Sequence, residues 1–256
     1  MKIANLNEAF WLHLRFNLKS EASKTYLNYL WWLLEPTLHV ALFYLVFDVM
    51  LNRGGPNFVV FLLCGQIPFL WFSRSVSNSA NSIMAGRGLI MQTAIPKAFF
   101  PLLVVAQDVV KQSLVFICLF GFLAAMGYPP GNHWLALPLL VLVQLLLISG
   151  LALFCAAVTP FIPDFKFIIG TGMTMVMFAS GIFYDFRTTL LPEHREIFLL
   201  NPLATLIEAY RTVLMRGSWP DWLAIGQVAV ASLAAIGFML YVFRRNDPVY
   251  ARLVVQ

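Results

Sequence analysis

Side chains able to do covalent or proton-transfer chemistry are few in this sequence, and they stand apart from one another. Asp185, Glu193 and Glu196 fall close together, and neighbouring carboxylates are the groups that carry acid/base work on glycosidic bonds. On a polar link, however, carboxylates are ordinarily just solvated. Ser180-Gly181 offers a hydroxyl of the kind an intramembrane hydrolase activates, yet the apolar span that follows holds no histidine to activate it. His13, His39, His133 and His194 lie in four different regions, and no two share a helical face at ligand spacing, so no metal site is expected. Cys64, Cys118 and Cys155 sit singly in apolar runs without a CxxC pair and read as packing residues. Asp108 and Lys111, three apart, can neutralise each other on one helical face. No G-x-x-x-x-G-K-[ST] is present, so the sequence has no loop of its own to cradle nucleotide phosphates. Neither inverted repeats nor a charged midplane site, as an ion-coupled carrier would need, is evident. Energy for any work must come from a partner.

The elements that would position these groups are set by composition. Of 256 residues, 60% are hydrophobic and 11% charged, with a mean hydropathy of +0.79. A water-soluble chain of this length needs far more polar surface, so the reading is an all-α integral membrane protein. The pI near 9.2 does not indicate nucleic acid, because the cations fall at the edges of apolar segments and form no run.

Windows of about twenty residues, the length that crosses the hydrocarbon core, predict six spans near 36–52, 57–76, 99–127, 134–158, 165–184 and 222–243. Short Pro/Gly-rich links separate several of them: NRGGPN, GYPPGNH and TPFIPDFK. The stretch 185–221 is different. Its apolar pieces are too short or too charged to span, and it reads as two short re-entrant helices broken at Pro192 and at Asn201-Pro202. Both termini are expected in the cytoplasm: Lys2, Arg15, Lys19, Lys24, Arg74, Arg87, Lys97, Lys166, Arg244, Arg245 and Arg252 then lie inside, and Arg53, Arg187, Arg195, Arg211 and Arg216 outside. No cleavable signal peptide is visible. Residues 1–28 instead form an amphipathic helix, with Ile3, Leu6, Phe10, Leu14 and Leu18 on one face and Glu8, Arg15 and Lys19 on another. Such a helix lies flat on the inner leaflet or packs against protein.

The sequence YLWWLLEPTLHV joins this helix to the first span. Trp31 and Trp32 suit the headgroup boundary, while Glu35 and Pro36 are read as marking a helix start, where a missing N–H costs nothing and an anion faces the positive end of the dipole. Glu35 could alternatively contact substrate or a second subunit within the membrane.

LWWLLEPTLHV resembles the start of the first span in permease subunits of bacterial ABC-2 type polysaccharide exporters. FLLCGQIPFLWFSRSVSNSANSI (61–83) resembles that family's second span, and GLIMQTAIPKAFFPL (88–102) its return into the third. IFYDFRTTLLPEHREIFLLNPLATLIEAYRTVLMRG (182–217) resembles its most characteristic region, with Leu-Pro before one re-entrant piece and Asn-Pro-Leu before the next. The likeness covers essentially the whole chain and is nearest to capsular polysaccharide export permeases. It implies a single ABC-2 type transmembrane domain over 1–256 in the bacterial inner membrane, working as a homodimer with two ATP-binding cassette subunits. The channel between protomers would pass lipid-linked polysaccharide outward, in concert with a periplasmic polysaccharide co-polymerase and outer-membrane export proteins. Under this reading the chain is no enzyme and binds no cofactor, ATP and Mg belonging to the ATPase. O-antigen and teichoic acid exporters share the body plan.

Two sets of residues follow. The cytoplasmic link 77–97, together with the turn Pro163-Asp164 and the N-terminal helix, is the expected docking surface for the ATPase, with Arg74, Arg87 and Lys97 placed to meet acidic residues; those cations equally satisfy the positive-inside bias. Pyranose faces are apolar and stack on rings, so Phe69, Trp71, Phe72, Phe183, Tyr184 and Phe186, near the ends of spans two and five, are the candidate channel lining; the same rings would serve as a lipid belt. Gly170, Thr174, Met177 and Gly181 form a small-residue stripe suited to close helix approach.

Overall fold

A computed structural model of the protein describes residues 3–23, 30–50, 57–93, 95–189 and 191–255. Lys2, Lys24, Arg53 and most of the NRGGPN link fall outside the described residues, as do the side chains of Ile3 and Leu6. The described chain is helical throughout: α1 (Ile3–Ser23), α2 (Trp31–Tyr44), α3 (Phe58–Ala80), α4 (Ser82–Ala85), α5 (Arg87–Gln92), α6 (Phe99–Ala125), α7 (Leu137–Val158), α8 (Phe165–Ala179), α9 (Phe186–Thr189), α10 (Pro192–Leu199), α11 (Pro202–Leu214) and α12 (Trp222–Val255).

Four of these are long and apolar enough to cross a membrane: α3, α6, the Asn132–Val158 segment that contains α7, and α12. The expected first and fifth spans are shorter apolar helices, Trp31–Phe47 and Phe165–Ala179. Helix α2 runs on through a wider π-helical turn, Leu45–Met50. Helix α8 stops at Ala179, five residues before the expected end at 184, because Gly181 takes a left-handed φ of +67° that a helix cannot continue. At the other extreme α12 continues well past residue 243; its 34 residues make about 51 Å of helix, more than a hydrocarbon core needs.

The core is built around α3, which packs on α2, α6, α7 and α11, while α12 lies along α7. Small residues let α7 and α12 approach: a Cβ on Gly150 would lie 3.4 Å from that of Ala235. Inside the α3–α7 contact, Gln144 donates from Nε2 to the Pro68 carbonyl at 2.8 Å, a polar tie between two otherwise apolar faces.

The amphipathic helix presents its apolar face to protein. Leu14 is buried, Phe10 and Leu18 pack on a second core with Phe99 and Phe100, and the Phe10 and Phe99 rings meet edge-on at 5.5 Å. Trp11, Leu12 and Phe16 remain exposed on its outer side. This end of the bundle, which also carries α4, α5 and the far end of α12, is the α1 end; the bent pair α10–α11, expected from the sequence to be re-entrant, occupies the other, the re-entrant end.

Candidate functional site

At the re-entrant end, α10 and α11 meet at 103° across the break at Leu200-Asn201. The sequence specifies that corner. Pro192 and Pro202 each open a helix, where their missing N–H has no partner to lose. The Asn201 side chain caps α11 by accepting from the Leu203 amide at 3.0 Å, and its Nδ2 donates to Ser180 Oγ at 3.0 Å, tying the cap to the turn that ends α8. That turn must stay narrow, since a Cβ on Gly181 would lie 2.8 Å from the Phe198 ring.

Arg211 fixes α11 in place. Its side chain, 2% exposed, donates from Nη1 to the Gly181 carbonyl at 2.7 Å and from Nη2 to the Ile182 carbonyl at 2.8 Å. The guanidinium lies 3.5 Å from the centroid of the Phe61 ring and reaches the Phe61 carbonyl at 3.4 Å. One cation therefore joins α11, α3 and the α8 turn, and room for it depends on Gly65, whose Cβ would sit 2.7 Å from Nη2. Charge counting along the sequence registers Arg211 only as an outer cation. The available signal is its position on the stripe Leu203, Ile207, Arg211, one turn apart on a buried face. Around it, Glu208 pairs with Arg187 at 2.8 Å and with Arg216, and Arg216 also lies 3.7 Å from Asp185.

The candidate lining rings divide. Phe69 and Phe72 are packed inside the core, at 3% and 4% exposure. Phe183 stacks on Phe47 at 5.1 Å, and Phe186 on Phe198 at 5.0 Å. Tyr184 is half-buried, with its hydroxyl donating to the Phe178 carbonyl at 3.0 Å. Trp71 meets Phe116 edge-on at 5.9 Å, and Phe116 stacks on Tyr210 at 6.0 Å, so a row of rings runs from α3 to α11. The outward surfaces of α2 and α8 supply exposed groups instead: Leu38, Leu42 and Tyr44 on one, Thr174, Met175 and Phe178 on the other.

At the α1 end, residues assigned separately to the start of the first span, the channel and ATPase docking line one cavity of about 260 Å³. Trp31, Trp32 and Glu35 come from α2, Trp71 and Arg74 from α3, Asp108 and Lys111 from α6, with Glu21 from α1. The helix start read at Glu35-Pro36 is corrected here. Helix α2 begins at Trp31, one turn earlier, because Trp31 through Leu34 are themselves helix-competent and Pro36 is accommodated inside it. Glu35 then pairs with Arg74 at 3.0 Å rather than serving the helix terminus. Lys111 lies between Asp108 at 3.1 Å and Glu21 at 2.7 Å, so it latches α1 onto α6.

The docking candidates also divide. Arg74 is engaged with Glu35. Lys97 is buried and donates to Asp247 of α12 both from its ammonium, at 3.0 Å, and from its backbone amide, at 2.9 Å. Arg87, Met91, Phe161, Pro163 and Asp164 remain exposed; α5 packs on α12, and Phe161 meets Tyr250 of α12 at 5.4 Å, so both stretches belong to one end of the molecule. Among the described residues no group of three or more His, Cys, Asp or Glu is placed to hold a metal ion.

An apolar helical bundle with a bent helix pair at one end and a polar cavity at the other is the body of a multi-pass membrane protein. The family model described as ABC-2 type transporter matches residues 8–215, and the chain belongs to that family. Its relatives include the O-antigen export system permease protein RfbA of Myxococcus xanthus, 27% identical over 238 residues, covering 93% of this chain and 92% of that protein. A protein of the same name from Klebsiella pneumoniae is 28% identical, covering 79% and 78%. The polysialic acid transport protein KpsM of Escherichia coli is 24% identical, covering 90% of each chain.

Proposed function

We propose that this chain is the channel-forming permease subunit of an ATP-driven exporter that moves lipid-linked polysaccharide across the bacterial inner membrane. The observation that carries the reading is near full-length similarity to permeases named for O-antigen export and for polysialic acid transport, on a chain whose own sequence lacks a phosphate-binding loop. Six crossings result if α2 and α8, although short, each span, while α10 and α11 dip in from the periplasm and return. The exposed faces of α2 and α8 then meet a second copy around the channel, and α1 rests on the inner leaflet with both termini cytoplasmic. Capsular polysaccharide is the finer substrate proposed; O-antigen is the alternative, which the RfbA relatives favour.

Cysteines placed at Arg187 and Arg195 are expected to react with membrane-impermeant thiol reagent from outside intact spheroplasts. Labelling from the cytoplasmic side alone would reverse the topology.

The partner is an ABC ATPase, docked on the exposed α5 and 160–164 stretches. Affinity capture of the tagged chain in mild detergent is expected to retain that ATPase, and Met91→Asp combined with Asp164→Arg to reduce it severalfold at unchanged permease level. Full retention by the double variant would move the docking surface elsewhere. Transport by a wild-type chain that holds no ATPase would make the protein a carrier.

A further inference from the structure

We propose that the cleft between the 95–98 turn and α12 binds an anionic phospholipid of the surrounding bilayer, with Arg244 on its phosphate. The inference requires only that α12 crosses the membrane, and it is independent of what the chain exports.

The cleft measures about 460 Å³, and Ile95 and Pro96 face Leu240 and Phe243 across it. Neither α2 nor α8, whose outward faces are proposed for the channel, lines it. Its depth in the bilayer follows from the length of α12. Trp219 and Trp222 are exposed where that helix begins, as rings at a headgroup boundary are. From Trp222 to Arg244 the helix advances about 33 Å, just over the thickness of a hydrocarbon core. The cleft therefore opens at the level of the opposite headgroups. One turn nearer the core, a Cβ on Gly237 would meet nothing within 4 Å, so there is open space beside α12 for an acyl chain.

The charges select an anion. Asp247 is occupied by Lys97, accepting from its ammonium at 3.0 Å and from its amide at 2.9 Å, and these two charges cancel. Arg244 is left as the net charge of the cleft: it is exposed and makes no ion pair among the described residues. A guanidinium presents a fork of N–H donors that matches a phosphate, and basic clefts between membrane helices at this depth suit anionic heads. A free phosphate would leave the apolar walls wet, whereas a lipid covers them. The neighbouring Arg245 donates to the Tyr241 hydroxyl at 3.4 Å and does not line the cleft. A generally basic surface would treat the two arginines alike; a site distinguishes them.

The test places the purified full-length chain, without ATPase, in phosphatidylcholine nanodiscs with trace phosphatidylglycerol or phosphatidylethanolamine, each carrying the same diazirine on the first carbons of one acyl chain. Mass spectrometry of crosslinked peptides is expected to show segments 95–98 and 240–247 labelled about fivefold more by phosphatidylglycerol, the effect of one cation beside an anionic head. Labelling near Trp222 should be equal for the two probes and unchanged in every variant, a control for folding and insertion. Arg244→Gln should remove the preference, Arg244→Lys should keep most of it, and Arg245→Gln should leave it intact. Excess soluble glycerophosphoglycerol, the head without chains, should not compete. Equal labelling of the cleft by the two lipids, a preference that survives Arg244→Gln, the same loss in Arg245→Gln or in Arg244→Lys as in Arg244→Gln, or competition by the soluble head overturns the lipid site. No polymer enters this assay, so its failure leaves the export reading standing.

Discussion

Arg211→Ala is expected to abolish export and to give the largest loss of thermal stability of any single substitution at the re-entrant end. Two short charge-assisted hydrogen bonds, to the Gly181 and Ile182 carbonyls, disappear together with the contact over Phe61. Such bonds are worth roughly 1.5–3 kcal/mol each, so about 3–6 kcal/mol is at stake, and the carbonyls left behind have no water to turn to. Lysine should recover only part of this, because one ammonium on a flexible stem cannot fork to two carbonyls and lie flat on a ring at once. Gly65→Val, on the facing helix, should reproduce the defect without touching the charge, since its side chain would occupy the guanidinium's place. Thermal melting of the detergent-purified protein, followed by fluorescence-detected size exclusion, reads all three. An Arg211→Ala protein that melts with the wild type would remove Arg211 as the clasp.

Loss of Asp247 should be the most damaging change at the α1 end. Lys97 is buried and Asp247 supplies both oxygens that satisfy it, one to the ammonium and one to the backbone amide. Removing one member of such a pair leaves an uncompensated charge, at a cost of roughly 3 kcal/mol when the partner is partly exposed. Asp247→Ala should therefore loosen the end of α12 from the start of α6, seen as faster proteolysis after Arg244 and Arg245 and as a lower melting temperature. Asp247→Asn keeps an acceptor for the amide and should lie between. Lys97→Met, which removes the charge itself, should rescue Asp247→Ala; additive damage in that double variant would show that the ion pair is not what joins the two helices.

Much of this architecture can be read from local pattern. Long apolar runs mark α3, α6, α7 and α12, and the proline and asparagine-proline signals place α10 and α11 because their chemistry acts within one turn. Pro36 misleads for the same reason. Locally it reads as a start, but the preceding Trp-Trp-Leu-Leu is equally helical, and only the packing of α2 on α3 shows the helix beginning earlier. Pairings across the chain are not written in any window. Lys97 finds Asp247 150 residues away, so a cation that obeys a charge bias in the sequence turns out to be structural in the fold; Lys111 keeps its local pair with Asp108 and also reaches Glu21 across 90 residues. The polar cavity is invisible for the same reason: its walls come from four helices whose residues were each interpretable alone.

The proposed export of a lipid-linked polysaccharide by this chain is tested most directly by mass spectrometry of the glycolipids held in membranes after the protein is depleted. A polymer-bearing lipid is expected to build up in the inner membrane while its surface form falls, and the wild-type gene, but not Arg211→Ala, is expected to restore the surface form. The repeat unit of the retained polymer would then separate capsule from O-antigen. Unchanged inner-membrane glycolipid with normal surface polysaccharide would contradict export by this chain.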